Sequence, residues 1–219
     1  MNRISCTPYV DRRYLLRATG TLILTVLLIA ASGCASRPAM DSPRILEPGD
    51  SNFAINLSGG FLGEEAMPAF HLQYRRGIME RADFGVHLTT GAFGGDLRFQ
   101  VVDGPTFVLA AGPDLSIGQE FRLRGSVVDV VGAFHGGLPI SFGWEFRHVT
   151  PFVLARPGFA ALAGDVFLTN TGGVGLAWQI SENYQLIPEI LATIAHDRQL
   201  EGVTLTAKAG LSIVITSDR

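Results

Sequence analysis

The sequence predicts an all-β chain: a single antiparallel up-and-down β-barrel of ten to twelve strands, after an N-terminal signal segment and a short tether. Three observations carry this. From residue 52 to 216, apolar and polar residues alternate with a period of two, and the i, i+3, i+4 spacing of a helix never competes for long. Turn-forming clusters such as "GAFGG", "DGP", "HGG" and "SEN" punctuate the alternation. The composition is also unusual, with 26 Gly, a mean hydropathy of +0.28 and a single Lys, Lys208. No long apolar run follows residue 31, so helical membrane spans, which need about 20 apolar residues, are excluded on length. A barrel that presents its apolar residues in alternation accounts for such a composition.

The N-terminal element, residues 1–33, reads as a signal peptide. Arg3, Arg12, Arg13 and Arg17 supply a positive region, and Leu22 to Ala31 an apolar stretch too short to span a bilayer. Ala31-Ser32-Gly33-Cys34 then resembles a bacterial lipobox. The resemblance implies cleavage before Cys34, acylation of its sulfur, and handling by the export and lipoprotein-sorting machinery. Ala35 after the cysteine implies sorting to an outer membrane. "DRRYLLR", residues 11–17, resembles a twin-arginine export motif, although two arginines also serve simply as positive charge. Both export routes stay open. Residues 34–51 follow as a Pro-rich tether.

The mature chain would keep only Cys34, which excludes an internal disulfide and a Cys metal site. Removing four Arg and Asp11 with the signal leaves 13 basic and 19 acidic residues, net −6, which argues against a nucleic-acid partner.

The barrel domain spans 52–216. Strands are expected near 53–61, 68–76, 82–90, 94–102, 106–116, 122–134, 138–147, 150–156, 172–181, 183–195 and 202–215. These are eleven, and single-chain bacterial barrels have even numbers. Residues 162–169, "LAGDVFLT", are the candidate twelfth; without them, 157–171 would be the longest loop. Pro188-Glu189 marks an edge, bulge or rim position.

Alternation alone does not say which face points inward. The non-apolar face is rich in small residues, including Gly85, Ala110, Ser141, Gly143, Gly173 and Gly175. Its charges come in both signs, as in Asp96 with Arg98 and Glu145 with Arg147. Both features suit a crowded polar lumen, and the scarcity of Lys does not suit a solvated surface. Tyr74, Trp144, Trp178 and Tyr184 are candidates for interfacial aromatic girdles.

"YRRGIMERADFGVHL", residues 74–88, followed by "GGDLRFQV", 94–101, resembles a hairpin common in Gram-negative outer-membrane β-barrel proteins. There a strand ends in Gly plus an apolar residue, here Gly77-Ile78. A polar turn follows, and the next strand opens as Ala82-Asp83-Phe84-Gly85 does here. The resemblance implies an envelope barrel and names no activity. The chain departs from it at the end, "IVITSDR", where such barrels often carry a terminal aromatic residue.

The expected function is therefore an outer-membrane-associated barrel lipoprotein, with a structural role or one in small-molecule passage or binding. Its partners would be membrane lipid, through acylated Cys34, and the sorting machinery. Two alternatives stand beside it: a lipid-tethered soluble periplasmic barrel holding an apolar ligand, and a barrel enzyme acting on envelope lipids. Asp83, Asp96, Arg98, Asp129, Glu145, Arg147, Glu189 and Lys208 are expected to form a polar network in the lumen. His71, His87 and His135 share the predicted inward face, without the tight spacing of a metal site. No cofactor is expected. His148 near Glu145 is the best candidate for catalysis, but no Ser lies in a distinctive nucleophile context. "GGVG", 172–175, lacks the Lys-Ser/Thr of a phosphate loop.

Overall fold

A computed structural model describes residues 42–217 except 63–64, 125–126, 163–164 and 198–201. The signal peptide and Cys34 lie outside these residues. Twelve extended segments follow one another: β1 (Ser51–Leu62), β2 (Glu65–Met79), β3 (Ala82–Thr89), β4 (Ala92–Asp103), β5 (Phe107–Ala111), β6 (Asp114–Arg124), β7 (Val127–Gly137), β8 (Ile140–Trp144), β9 (Val149–Leu162), β10 (Asp165–Ser181), β11 (Tyr184–Asp197) and β12 (Gly202–Ser217).

The segments build ten strands of a closed antiparallel barrel. β5 and β6 form one strand, and β7 and β8 the next. Phe107↔Trp144 and Asp114↔Gly137 belong to one uninterrupted register. The breaks fall at Pro113 and Pro139, which have no N–H to give to the ladder. Their carbonyls still accept, from Leu97 N and Gly112 N respectively. Each strand pairs with its neighbours in sequence, and β1 closes the barrel on β12, with Phe53 opposite Ile215.

Following the pairing the other way, from Phe53 through Tyr74, Val86, Gly95, Leu115, Gly136, Phe159, Leu168 and His196, reaches β12 at Val203. Positions 203 and 215 are 12 residues apart, which is the stagger of the barrel. Ten strands with that stagger tilt by roughly 40°.

Residues 162–169 are not a strand of their own. They straddle the end of β9 and the start of β10, whose hairpin pairs through to Leu162↔Asp165. Pro151, Pro157 and Gly158 obscure the alternation in β9, which nonetheless runs 14 residues. The expected strands 106–116, 122–134 and 138–147 are likewise two: 117–121 lie inside β6, 135–137 inside β7, and 122–134 spans the hairpin that pairs Arg124 with Val127.

The two ends of the barrel differ. The near end carries the start of β1, the end of β12 and the tight turns at 80–81, 104–106, 145–148 and 182–183. The far end carries the other connections, of which only Thr90-Gly91 is described. Gly91 has φ +83°, which closes that hairpin in a conformation L side chains rarely adopt.

The sidedness is inverted relative to a water-soluble protein. Large apolar side chains face outward on every wall, from Phe53 and Leu57 on β1 to Leu211, Ile213 and Ile215 on β12. Trp144 is 42% and Phe146 61% exposed. Tyr74, Trp144, Trp178 and Tyr184 are all exposed in the near half of the wall. Inward positions hold Asn, Gln, His, Arg, Asp, Glu and Lys, nearly all buried.

Candidate functional site

Three adjacent strands supply the charged centre of the lumen. Inward alternation brings His71, Gln73 and Arg75 from β2, Asp83 and His87 from β3, and Asp96, Arg98 and Gln100 from β4 onto one wall. Arg75, 1% exposed, heads the fully buried described side chains by size. Its guanidinium bridges two carboxylates, donating to Asp83 Oδ1 and Asp96 Oδ1, both at 2.6 Å. Arg98 grips Asp83 with two donors, Nε to Oδ1 at 3.0 Å and Nη2 to Oδ2 at 2.6 Å. Such forked, charge-assisted bonds compensate the loss of hydration that buried ions suffer. Gly85 sits directly beneath: a Cβ there would stand 2.7 Å from Arg75 Nη2 and 3.0 Å from Asp96 Oδ2. The cluster extends through His87 to Asp114, with Arg156 3.9 Å from that carboxylate.

On the neighbouring strands β1, β12 and β11 the lining is mixed. Asn56 Nδ2 donates to Ser212 Oγ at 2.8 Å and to Glu189 Oε1 at 3.3 Å, and Lys208 is buried on β12. Toward the near end an apolar cluster of Ala54, Phe152, Ala177, Ile187 and Val214 fills the interior. A Cβ at Gly175 would collide with the Phe152 ring, so that glycine makes room for it. Ion pairs on one side and Phe152 on the other leave the near half of the lumen filled.

Residues 42–50 occupy the near mouth. Part of the Pro-rich stretch read as a tether is thus seated against the barrel. Pro43 is fully buried beside Gly143, and Ile45 is buried too. Ile45 N–H donates to Gln100 Oε1 at 3.0 Å, Leu46 N–H to Asp83 Oδ2 at 3.2 Å, and Arg98 Nη1 to Ser42 O at 2.9 Å. Gly77 exchanges backbone bonds with Gly49 and Asp50, and a Cβ at Gly77 would overlap the Glu47 carbonyl. Arg44 forms a two-pronged pair with Glu145, 2.6 Å on each arm, and reaches Asp103 at 3.2 Å. The bond to Glu145 raises the Arg44 pKa, against the opposing effect of partial burial. Arg44 therefore keeps its charge at any physiological pH.

The eight expected network residues fall into four groups. Asp83, Asp96 and Arg98 meet in one cluster, while Glu189 and Lys208 are buried outside it, on β11 and β12. Glu145 lies at the near mouth, bound to Arg44, and Arg147 is exposed on the 145–148 turn. Asp129 lies in β7 opposite Arg122, with its side chain outside those described. His71 and His87 are buried inside, and among the described residues no group of three His, Cys, Asp or Glu is placed to hold a metal. His148 is exposed, and both oxygens of Glu145 are taken by Arg44. The central Arg75, with Asp114 and Arg156, was absent from the expected network, although alternation already put Arg75 on the inward face. Arg44 carries no such signal, because it lies outside the alternating pattern and its partner is 101 residues away.

No known family matches the sequence, and no curated protein does. Among solved structures, the chain is similar to an outer membrane channel from Pseudomonas putida F1, with 9% identity, 84% of this chain and 100% of that one covered, and a TM-score of 0.48. It is also similar to the N-terminal β-barrel domain of Pseudomonas aeruginosa OprF, with 9% identity, 78% and 100% coverage and a TM-score of 0.42. The Yersinia pestis attachment invasion locus protein Ail is matched at 12% identity, 78% and 99% coverage and a TM-score of 0.37. Likeness at this level does not extend to what those proteins do.

Proposed function

We propose that this protein spans a Gram-negative outer membrane as a ten-stranded barrel, is acylated at Cys34, and serves a structural or small-molecule-binding role. The observation that carries the reading is the sidedness: apolar side chains cover the outside while charged ones are buried in the lumen. In water that arrangement would expose an apolar belt on every wall, far beyond what a soluble surface tolerates. In a bilayer the same belt is solvated by lipid and the near-half Trp and Tyr residues form one girdle. The soluble-carrier alternative needs the reverse arrangement.

The filled near half and the seated segment 42–50 favour structure or binding over open diffusion of solutes. They also reconcile a lipid anchor with a membrane-spanning barrel. Cys34 stands eight residues before Ser42, so even a fully extended chain reaches at most about 28 Å. The acyl chains would enter the leaflet beside the near mouth, and the near end would face the periplasm, where short turns belong.

Membrane extraction of Cys34→Ala tests this. The variant is expected to stay in the membrane through carbonate washing and to show heat-modifiable gel mobility after detergent extraction. Release as a soluble protein would show that the acyl chains alone held it, and would sink the spanning barrel.

A further inference from the structure

The wall of the barrel is cut low at one place. β3 has only 8 residues, and its hairpin with β4 ends at Thr90-Gly91. The strands on either side continue toward the far end. β2 from Glu65 to Ala69 pairs only with β1, and β6 beyond Gln119 pairs only with β7, among the described residues. Five residues of strand on each side, roughly 16 Å, therefore flank a notch two strands wide.

At this notch the outer surface holds a groove of about 690 Å³. Leu88, Phe93, Ile117 and Phe134 form its sides, and all four are exposed. Glycines and alanines form the floor, and a Cβ at Gly132 would meet no described atom within 4 Å. None of the lining residues is charged, and its two polar side chains are Thr89 and Gln119. The groove is continuous with the apolar belt, whose outward row next to it is Val86, Gly95, Leu115 and Gly136, followed by Phe84 and Leu97.

We propose that this groove is a binding site for one acyl chain of a membrane lipid. The uncharged lining suits a hydrocarbon chain, and the exposed Gln119 suits the neutral ester at its end. A chain from the surrounding leaflet reaches the groove without leaving the belt. The site rests on the membrane-spanning reading above.

The test uses the full-length protein in vesicles containing a phosphatidylethanolamine with a photoactivatable acyl chain. Crosslinks are mapped to peptides for wild type, Gly132→Trp and Gly172→Trp. Gly172 also faces outward, with only the Leu154 carbonyl near a Cβ at 3.9 Å, and lies on another wall. Wild type is expected to crosslink mainly at Ile117–Gln119 and Gly132–Phe134. Gly132→Trp should lower that labelling about tenfold, and Gly172→Trp should leave it intact. Labelling spread evenly around the belt, or unchanged in Gly132→Trp, would overturn the site while leaving the barrel in the membrane. Protein that fails to float with the vesicles would instead refute the membrane reading, and the site with it.

Discussion

Arg75 is the residue on which the charged wall depends. Its guanidinium bonds both Asp83 and Asp96, and all three are nearly sealed from solvent. Truncating one partner of a buried ion pair leaves an uncompensated charge, at a cost of about 3–5 kcal/mol. Arg75→Met is therefore expected to lose about that much stability in denaturant titrations of the folded barrel. Asp83→Asn keeps the shape and one acceptor, and should lose less. Gly85→Ala belongs to the same site, because its new methyl group would press on the Arg75 guanidinium. Much of this wall was legible in the alternation of "HLQYR" and "DLRFQV", which puts Arg75, Asp96 and Arg98 on one face. Which acid meets which base was not legible, since the pairing follows from the register between three strands. Arg147 shows the limit of alternation: the strand ends at Trp144, and the periodic face ends with it.

Strands and hairpins show the same division. Period-two patterning located nearly every strand because inward and outward faces meet different surroundings along the whole barrel. It failed between β5 and β8, where the expected breaks at 117–121 and 135–137 lie inside β6 and β7 and the expected strand 122–134 spans their hairpin, because Gly and polar residues within a strand resemble a turn in the sequence. It failed also at 162–169, where Pro157 and Gly158 split one long hairpin into apparent pieces. Hairpin length was likewise hidden, and with it the notch above Thr90-Gly91. That turn depends on Gly91, and a residue with a Cβ at φ +83° costs about 1–2 kcal/mol. Gly91→Val is expected to destabilise the β3–β4 hairpin by at least that amount, seen as faster amide exchange in residues 86–96. Equal exchange in both proteins would show that the hairpin is held by its neighbours and not by its turn.

For the whole molecule the decisive quantity is sidedness. A lipid-facing position near the middle of the belt tolerates a charge poorly, with a cost of about 2–4 kcal/mol for Arg. Leu211, opposite Leu57 and Pro188 and 46% exposed, is such a position. Leu211→Arg should lower stability in vesicles by about that amount and have little effect in a soluble barrel, where an exposed Arg is solvated. The sequence suggested this inversion through its scarcity of Lys and its small-residue face. Closure of the barrel, its stagger and the occupied near mouth were beyond its reach, because each depends on contacts between distant parts of the chain.

The seating of residues 42–50 has a consequence for the order of assembly. The segment touches β2 through Gly77, β3 through Asp83, β4 through Arg98 and Gln100, and the turn before β9 through Glu145. Its receptor does not exist until those strands have been threaded side by side. The residues that leave the ribosome before any strand of the barrel are thus among the last to find their place, and their docking reports that the wall around them is complete.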